Sequence, residues 1–183
     1  MELKKQIEKE FETVQEDTLT LLNLTAENYF DAVMESLRLM VERGEKGVYV
    51  TVSRPHKYLR MEMRKRGIRT DGILFLDCIS SMAGERDDMT CTYVENPSSL
   101  EEISMHIGSL LDKIDSGKKF LIMDSFSTFL IYNGKNSMKE FAMFLINKLR
   151  LEGVGGILVI LEREAPDDLK QILIAMCDRV IYI

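Results

Sequence analysis

Two aspartates stand where an apolar run stops. Phe120 to Met123 leads straight into Asp124 and Ser125, and Ile73 to Leu76 leads into Asp77. A run that is apolar throughout and polar only at its far end is the pattern of a strand buried on both faces of a parallel sheet. Open α/β sheets place their ligands at the C-terminal ends of such strands. A carboxylate there can hold a metal or a polar ligand. It can equally accept hydrogen bonds from the N–H groups of the loop that follows.

A second chemical signal is charge. Residues 54 to 69, RPHKYLRMEMRKRGIR, carry seven Lys or Arg against Glu62 alone, a formal +6; the whole chain is -6, so the rest is near -12. Lys57, Arg60 and Arg64 share one helical face. This segment is either a solvated face or a surface for anions, an acidic partner or a nucleic-acid backbone. The region of Glu85, Asp87 and Asp88, on a neighbouring subunit, is one acidic surface it could dock. The pI near 5.1 argues against a general nucleic-acid binder.

The chain of 183 residues, 45% hydrophobic and 30% charged, is sized for one domain with one good core. Its three cysteines, Cys78, Cys91 and Cys177, are widely spaced and read as core residues. With only His56 and His106 besides, they outline no zinc site and no disulfide framework. His56, beside Arg54 and Lys57, reads as a surface histidine. Of the twelve methionines, Met34, Met40, Met143 and Met176 read as core filler, and Met61 and Met63 as less buried. The charged N-terminus lacks a signal-peptide core, and no apolar run approaches the ~20 residues of a membrane span. A cytoplasmic protein without membrane attachment is expected.

Elements that would position these residues alternate along the chain. Residues 1–16 form an amphipathic helix with Leu3, Ile7 and Phe11 on one face, and residues 17–183 form the α/β core. Strands are expected over 18–24, 47–52, 73–76, 91–94, 120–123, 156–161 and 179–183. The turn Thr25-Ala26-Glu27-Asn28 caps a helix reaching Arg43, with Phe30, Val33 and Leu37 inward. Pro55, Pro97 and Pro166 each fall after a strand and before a helix. Ser98 with Glu101, and Ser137 with Glu140, fit capping boxes. The helix after Ser137 carries the apolar stripe Phe141, Phe144, Leu145 and Leu149. This is a three-layer α/β/α domain with a mostly parallel central sheet.

Six blocks in fixed order resemble the KaiC-like branch of the RecA-type P-loop ATPases: ERGEKGVYVTVS, LRMEMRKRGI, GILFLDC, KKFLIMDSFSTFLIYNG, LEGVGGILVILE and CDRVIYI. The resemblance spans residues 18 to 183. It implies that fold, ring or dimer assembly, a signal-transduction setting, and Asp124 as the Walker B aspartate that holds Mg²⁺. The family's phosphoryl-transfer site also needs a GxxxxGK[ST] loop after the first strand. Here the junction is NLTAENYF, with neither Gly nor Lys. The family's pair of glutamates after the second strand is replaced by Ser53 and Arg54. A lone aspartate cannot supply the positioning and charge stabilisation of that reaction. The expectation is therefore an inactive relative that binds no cofactor and acts on protein partners or copies of itself. The loop-anchor reading of Asp124 and Ser125 then outweighs the metal-ligand one. Two alternatives remain: a nucleotide-binding module or slow ATPase, taking ATP and Mg²⁺, in which Arg54, Arg60 or Arg64 replaces the missing Lys; and nucleic-acid binding through residues 54–69.

Overall fold

A computed structural model describes residues 2–85, 89–115 and 117–183. The proposed acidic contacts Asp87 and Asp88 lie outside them. Among the described residues seven strands form one all-parallel sheet. In chain order they are β1 (Leu19–Leu24), β2 (Lys46–Thr51), β3 (Ile73–Asp77), β4 (Cys91–Tyr93), β5 (Lys119–Asp124), β6 (Gly155–Leu161) and β7 (Arg179–Tyr182), and across the sheet they run β4-β3-β2-β5-β6-β1-β7. The helices between them are α1 (Glu2–Phe11), α2 (Tyr29–Glu42), α3 (His56–Lys65), α4 (Leu100–Asp112), α5 (Phe126–Phe129), α6 (Lys135–Leu151) and α7 (Asp167–Met176).

The sheet has a core on each side. Leu22, Tyr49, Phe75, Phe120, Ile122 and Val159 point toward α1, α2 and α3. Leu21, Val48, Leu76, Leu121, Met123 and Leu158 point toward α4 to α7. Burial on both faces explains why the central strands are continuous apolar runs and not alternating ones. Gly156 lets β6 sit close against β5: its φ is +148°, and a Cβ there would lie 2.0 Å from the Leu121 carbonyl oxygen. The expected face of α1 holds, with Ile7 and Phe11 buried against α2.

Chain order reverses between β2 and β5. From β2 the chain moves outward through β3 to β4; from β5 it moves the other way, through β6 to β7. Ligand sites of open α/β sheets lie at such a switch point. Thr51 at the end of β2 registers with Asp77 on one side and Asp124 on the other. Both aspartates face the layer of α1, α2 and α3, because each follows Phe75 or Ile122 at strand period two.

Several local expectations change. Asn28 precedes α2 without a side-chain cap bond. Neither capping box forms: α4 begins after Ser99, with Ser98 tied to the Asn96 side chain at 2.9 Å, and α6 begins two residues before Ser137. Asn96 offers Ser98 a closer acceptor turn, and Gly134 opens α6 earlier. His56 is fully buried, as is Met63, because the inward face of α3 runs through His56, Leu59 and Met63. Met143 and Phe144 are exposed, since the inward face of α6 is Phe141, Ala142, Leu145 and Leu149. Cys91, Cys177, Met176 and Phe30 are only partly buried. No helix among the described residues is long and apolar enough to cross a membrane.

Candidate functional site

Asp124 closes β5 at a cis peptide to Ser125, and both residues are fully buried. Its carboxylate accepts from side chains at three other places in the chain. The Tyr29 hydroxyl, at the start of α2, donates to Oδ1. The Tyr49 hydroxyl, from the neighbouring strand, donates to Oδ2 at 2.5 Å. Ser53 Oγ lies 3.3 Å from Oδ1 and 2.9 Å from the Tyr29 hydroxyl. Ser125 turns elsewhere, its Oγ accepting from the Thr128 N–H at 3.2 Å as the N-cap of α5.

Burial sets the electrostatics of this cluster. It raises the Asp124 pKa, against the lowering effect of the two phenol donors, the Arg54 charge and Ser53. It raises both tyrosines far above their ordinary value, and the adjacent Asp124 charge raises them further. The phenols therefore keep their protons and act as donors to the carboxylate.

Ser53 and Arg54 occupy a turn fixed by Thr51, whose Oγ1 donates to the Arg54 carbonyl at 2.7 Å. The Arg54 guanidinium lies over the Phe30 ring at 4.4 Å and the Tyr29 ring at 5.1 Å. Arg66 covers Phe30 at 5.3 Å and pairs with Asp31 at 2.8 Å. These cation–π contacts set two guanidinium groups against the aromatic rings at the start of α2. Two further residues of the basic segment are engaged within the chain. Lys57 pairs with Glu85, so that acidic residue meets α3 of the same molecule. Arg60 donates to Thr90 Oγ1 at 2.5 Å, while Arg64 is exposed.

The turn from Thr25 to Asn28 directly precedes Tyr29, and none of its own side chains hydrogen-bonds Asp124 among the described residues. It borders a cleft of about 380 Å³ with residues 161–164 after β6. Glu27, Glu162 and Glu164 line this cleft against Arg163 alone. Three carboxylates repel a phosphate group where one cation would attract it.

Asp77 has a different set of partners. Oδ1 accepts from the N–H groups of Ile79 and Ser80, both at 2.9 Å. Oδ2 accepts from the His56 N–H at 2.8 Å and from Ser80 Oγ at 2.6 Å. His56 Nδ1 lies 3.4 Å from the same oxygen and 3.3 Å from the Tyr93 hydroxyl. Polar atoms of His56, Asp77 and Cys91 fall within 4.8 Å of one another, a spacing that a metal could bridge. Yet four N–H and O–H donors already occupy the roughly four lone-pair positions of the Asp77 carboxylate. It anchors the loop that follows it.

The sequence placed Asp124, Ser53 and Arg54 at one end of the sheet, and the fold brings them together. It leaves Thr25 to Asn28, Lys57, Arg60 and Arg64 outside that cluster. Tyr29 and Tyr49 are the residues that sequence reasoning missed. A signal existed for Tyr49: it sits two residues before Thr51 on the strand that pairs with β5, hence on the face of Asp124.

No family model and no curated protein matches the sequence. Solved structures do match. The KaiC-like protein PH0186 of the hyperthermophilic archaeon Pyrococcus horikoshii OT3 superposes with a TM-score of 0.65, at 20% identity, over 91% of this chain and 70% of that one. Protein PH0321 of Pyrococcus horikoshii, solved in complex with an unknown peptide, gives 0.69 at 12% identity, over 97% and 82%. The flagellar accessory protein FlaH of Methanocaldococcus jannaschii gives 0.64 at 12% identity, over 100% and 76%. With its all-parallel sheet and helices on both faces, the chain has the fold of the KaiC-like, RecA-type ATPases.

Proposed function

We propose that this chain is a catalytically inactive RecA/KaiC-fold protein that works as a regulator or scaffold, through protein contacts, in signal transduction. The observation that carries this reading is the occupied carboxylate of Asp124. A Walker B aspartate must offer an oxygen to Mg²⁺ or to a water on it. Here Tyr29 and Tyr49 donate to both oxygens from within the fold. Nor do the other residues at the site fit Mg²⁺-ATP. The β1–α2 turn has no Lys to neutralise phosphate, and the cleft beside it is lined by Glu27, Glu162 and Glu164. The signalling setting rests only on the resemblance of the sequence blocks to KaiC-like proteins.

The test is ATP turnover with Mg²⁺ at high protein concentration, paired with calorimetry. The expected result is no hydrolysis above buffer and no heat with ATP or ADP. Mg²⁺-dependent turnover that disappears in Asp124→Ala overturns the proposal. Heat of binding without turnover, lost in Arg54→Ala, would replace it with the nucleotide-binding module. Steeply salt-dependent binding of nucleic acid, weakened in Arg60→Ala/Arg64→Ala, would establish the basic segment as its interface.

A further inference from the structure

Glu45 stands where the fold calls for an apolar residue. Gly44, at φ +80°, ends α2 and turns the chain back beneath it. The Glu45 N–H donates to the Met40 carbonyl at 3.2 Å, and the Gly44 N–H to the Val41 carbonyl at 3.0 Å. These paired bonds are those of a Schellman turn, in which the side chain at the position of Glu45 commonly makes an apolar contact with the last turn of the helix. Here it is a carboxylate, set at the negative end of the α2 dipole. Its Oε2 is buried with no hydrogen-bond partner among the described residues. Thr20 Oγ1 is buried in the same state, and both residues line one small cavity with Met40 and Arg43. A carboxyl in such a place is tolerated as the neutral acid and costly as an unpaired anion.

The chain leading from α1 into β1 closes this cavity: Phe11, Val14, Gln15, Glu16 and Thr18 line it. No residue from 12 to 18 is itself buried, so this stretch is a strap over Glu45. Arg43 holds the strap down, donating to the Phe11 carbonyl and, at 3.0 Å, to the Val14 carbonyl. Lys118 pairs with Glu16. Arg43 is two residues from Glu45 and makes no ion pair with it among the described residues. An ionised Glu45 is a stronger acceptor for that guanidinium than two neutral carbonyls. The charges that act on Glu45 are Arg43 of α2, Glu16 of the strap and Lys118 before β5. Glu12, Asp17 and Lys119 line the outer cleft beside the strap, and Lys46, Arg69 and Asp71 line a second cleft that Glu45 borders. Burial outweighs the two cations, and the Glu45 carboxyl is held up at about 7.

We propose that residues 12–18 are a strap released when Glu45 ionises, Arg43 exchanging the strap carbonyls for the Glu45 carboxylate. A carboxyl whose pKa is raised in the closed form stabilises that form while protonated. The stabilisation is complete below pH 4.5 and is lost as pH rises through about 7, so the strap is closed in acid and loosens above neutrality. Release wets the cavity and uncovers the end of α2. Glu45 lies at the N-terminal ends of the strands, just before β2, and Asp124 at their C-terminal ends. The strap therefore stands or falls apart from the outcome of the ATP test.

The experiment is amide hydrogen exchange followed by NMR on the full chain at pH 6 and pH 8, corrected for the intrinsic effect of pH. The reporters are Val14, Gln15 and Thr18, whose N–H groups are each bonded within residues 11–18 at 3.2 Å. The strand β5 is the internal reference. From pH 6 to pH 8, strap opening is expected to rise roughly tenfold while β5 is unchanged. Glu45→Gln cannot ionise, and Glu45→Met supplies the apolar residue that the turn prefers. In both, the strap is expected to be equally protected at the two pH values. Arg43→Gln is expected to open the strap already at pH 6. Equal protection of the wild-type strap at both pH values overturns the proposal; that is the result if Glu45 instead swings toward Lys46 and Arg69. A pH dependence that persists in both Glu45 variants, or that β5 shares, overturns it too. An Arg43→Gln strap as protected at pH 6 as the wild-type one overturns the exchange at Arg43.

Discussion

Asp77 and Asp124 are the same feature by sequence and different features in the fold. Each ends a buried strand, each registers with Thr51, and each lies under the start of a helix on the same face of the sheet. Asp77 accepts from three backbone N–H groups and a nearby serine, mostly within three residues of itself. Asp124 accepts from side chains that reach it from 75 and 95 residues away. The first is a loop anchor that any local turn could need. The second uses two buried phenols where a metal-holding aspartate would need open oxygens. The contrast teaches that the partners of a buried carboxylate, and not its place at a strand end, decide what it can do.

Substitution should separate the two. Asp77→Ala leaves three backbone donors buried without acceptors, and a loss of about 3–5 kcal/mol is expected in urea unfolding, since each orphaned group costs about 1–3 kcal/mol. Backbone groups cannot move away, so Asp77→Ser should not rescue it. Should Asp124→Ala cost as much as Asp77→Ala, the distinction between them fails.

Next in size are the phenols. Tyr49→Phe removes the hydroxyl that donates to Oδ2 and should cost about 1–3 kcal/mol. Tyr29→Phe should cost less, because Ser53 Oγ remains within 3.3 Å of Oδ1. A cycle with Asp124→Asn should give a coupling of at least about 0.5 kcal/mol for each tyrosine. Additive costs would mean that the phenols do not act on the carboxylate.

Asp124→Asn should itself be the mildest change at this site, within about 1.5 kcal/mol at neutral pH. The carboxamide oxygen still accepts a phenol hydrogen bond, and the cost of burying charge disappears.

Glu45, a buried carboxylate without such donors, serves as the control and is read by pH, not by truncation. It is 4% exposed, and its Oε2 has no hydrogen-bond partner among the described residues. Burial, assisted by Glu16 and opposed by Arg43 and Lys118, raises its pKa from 4.5 to about 7. A carboxyl raised on folding favours the folded state in its protonated form. Its contribution is full below pH 4.5 and is lost as pH rises through about 7. Thermal melts at pH 5 and pH 8 should show the wild-type protein losing more stability than Glu45→Gln over that interval. Parallel losses would mean that Glu45 is not penalised by burial.

Much of the fold could be read from the chain because apolar runs, punctuation by proline and glycine, and helix periodicity are local. The strand bounds agree within a residue or two, from Leu19–Leu24 to Arg179–Tyr182. Helix starts were harder. Ser98 and Ser137 have the right partners for capping boxes, but Asn96 and Gly134 take over the local geometry. Phe144 has the right spacing for the core and still faces outward, because α6 offers more apolar residues than its buried face can hold.

What the sequence determined by itself was the architecture, the position of Asp124 at a strand end, and a β1–α2 turn without Gly or Lys. These follow from residue type and order. Only tertiary structure decided what surrounds that aspartate. Tyr29, Tyr49 and Ser53 meet it because β2 pairs in parallel with β5 and α2 begins above both. The same packing turned His56 inward onto Asp77. Hydrogen bonds between side chains far apart in the chain depend on strand register and helix placement, and no local pattern encodes either.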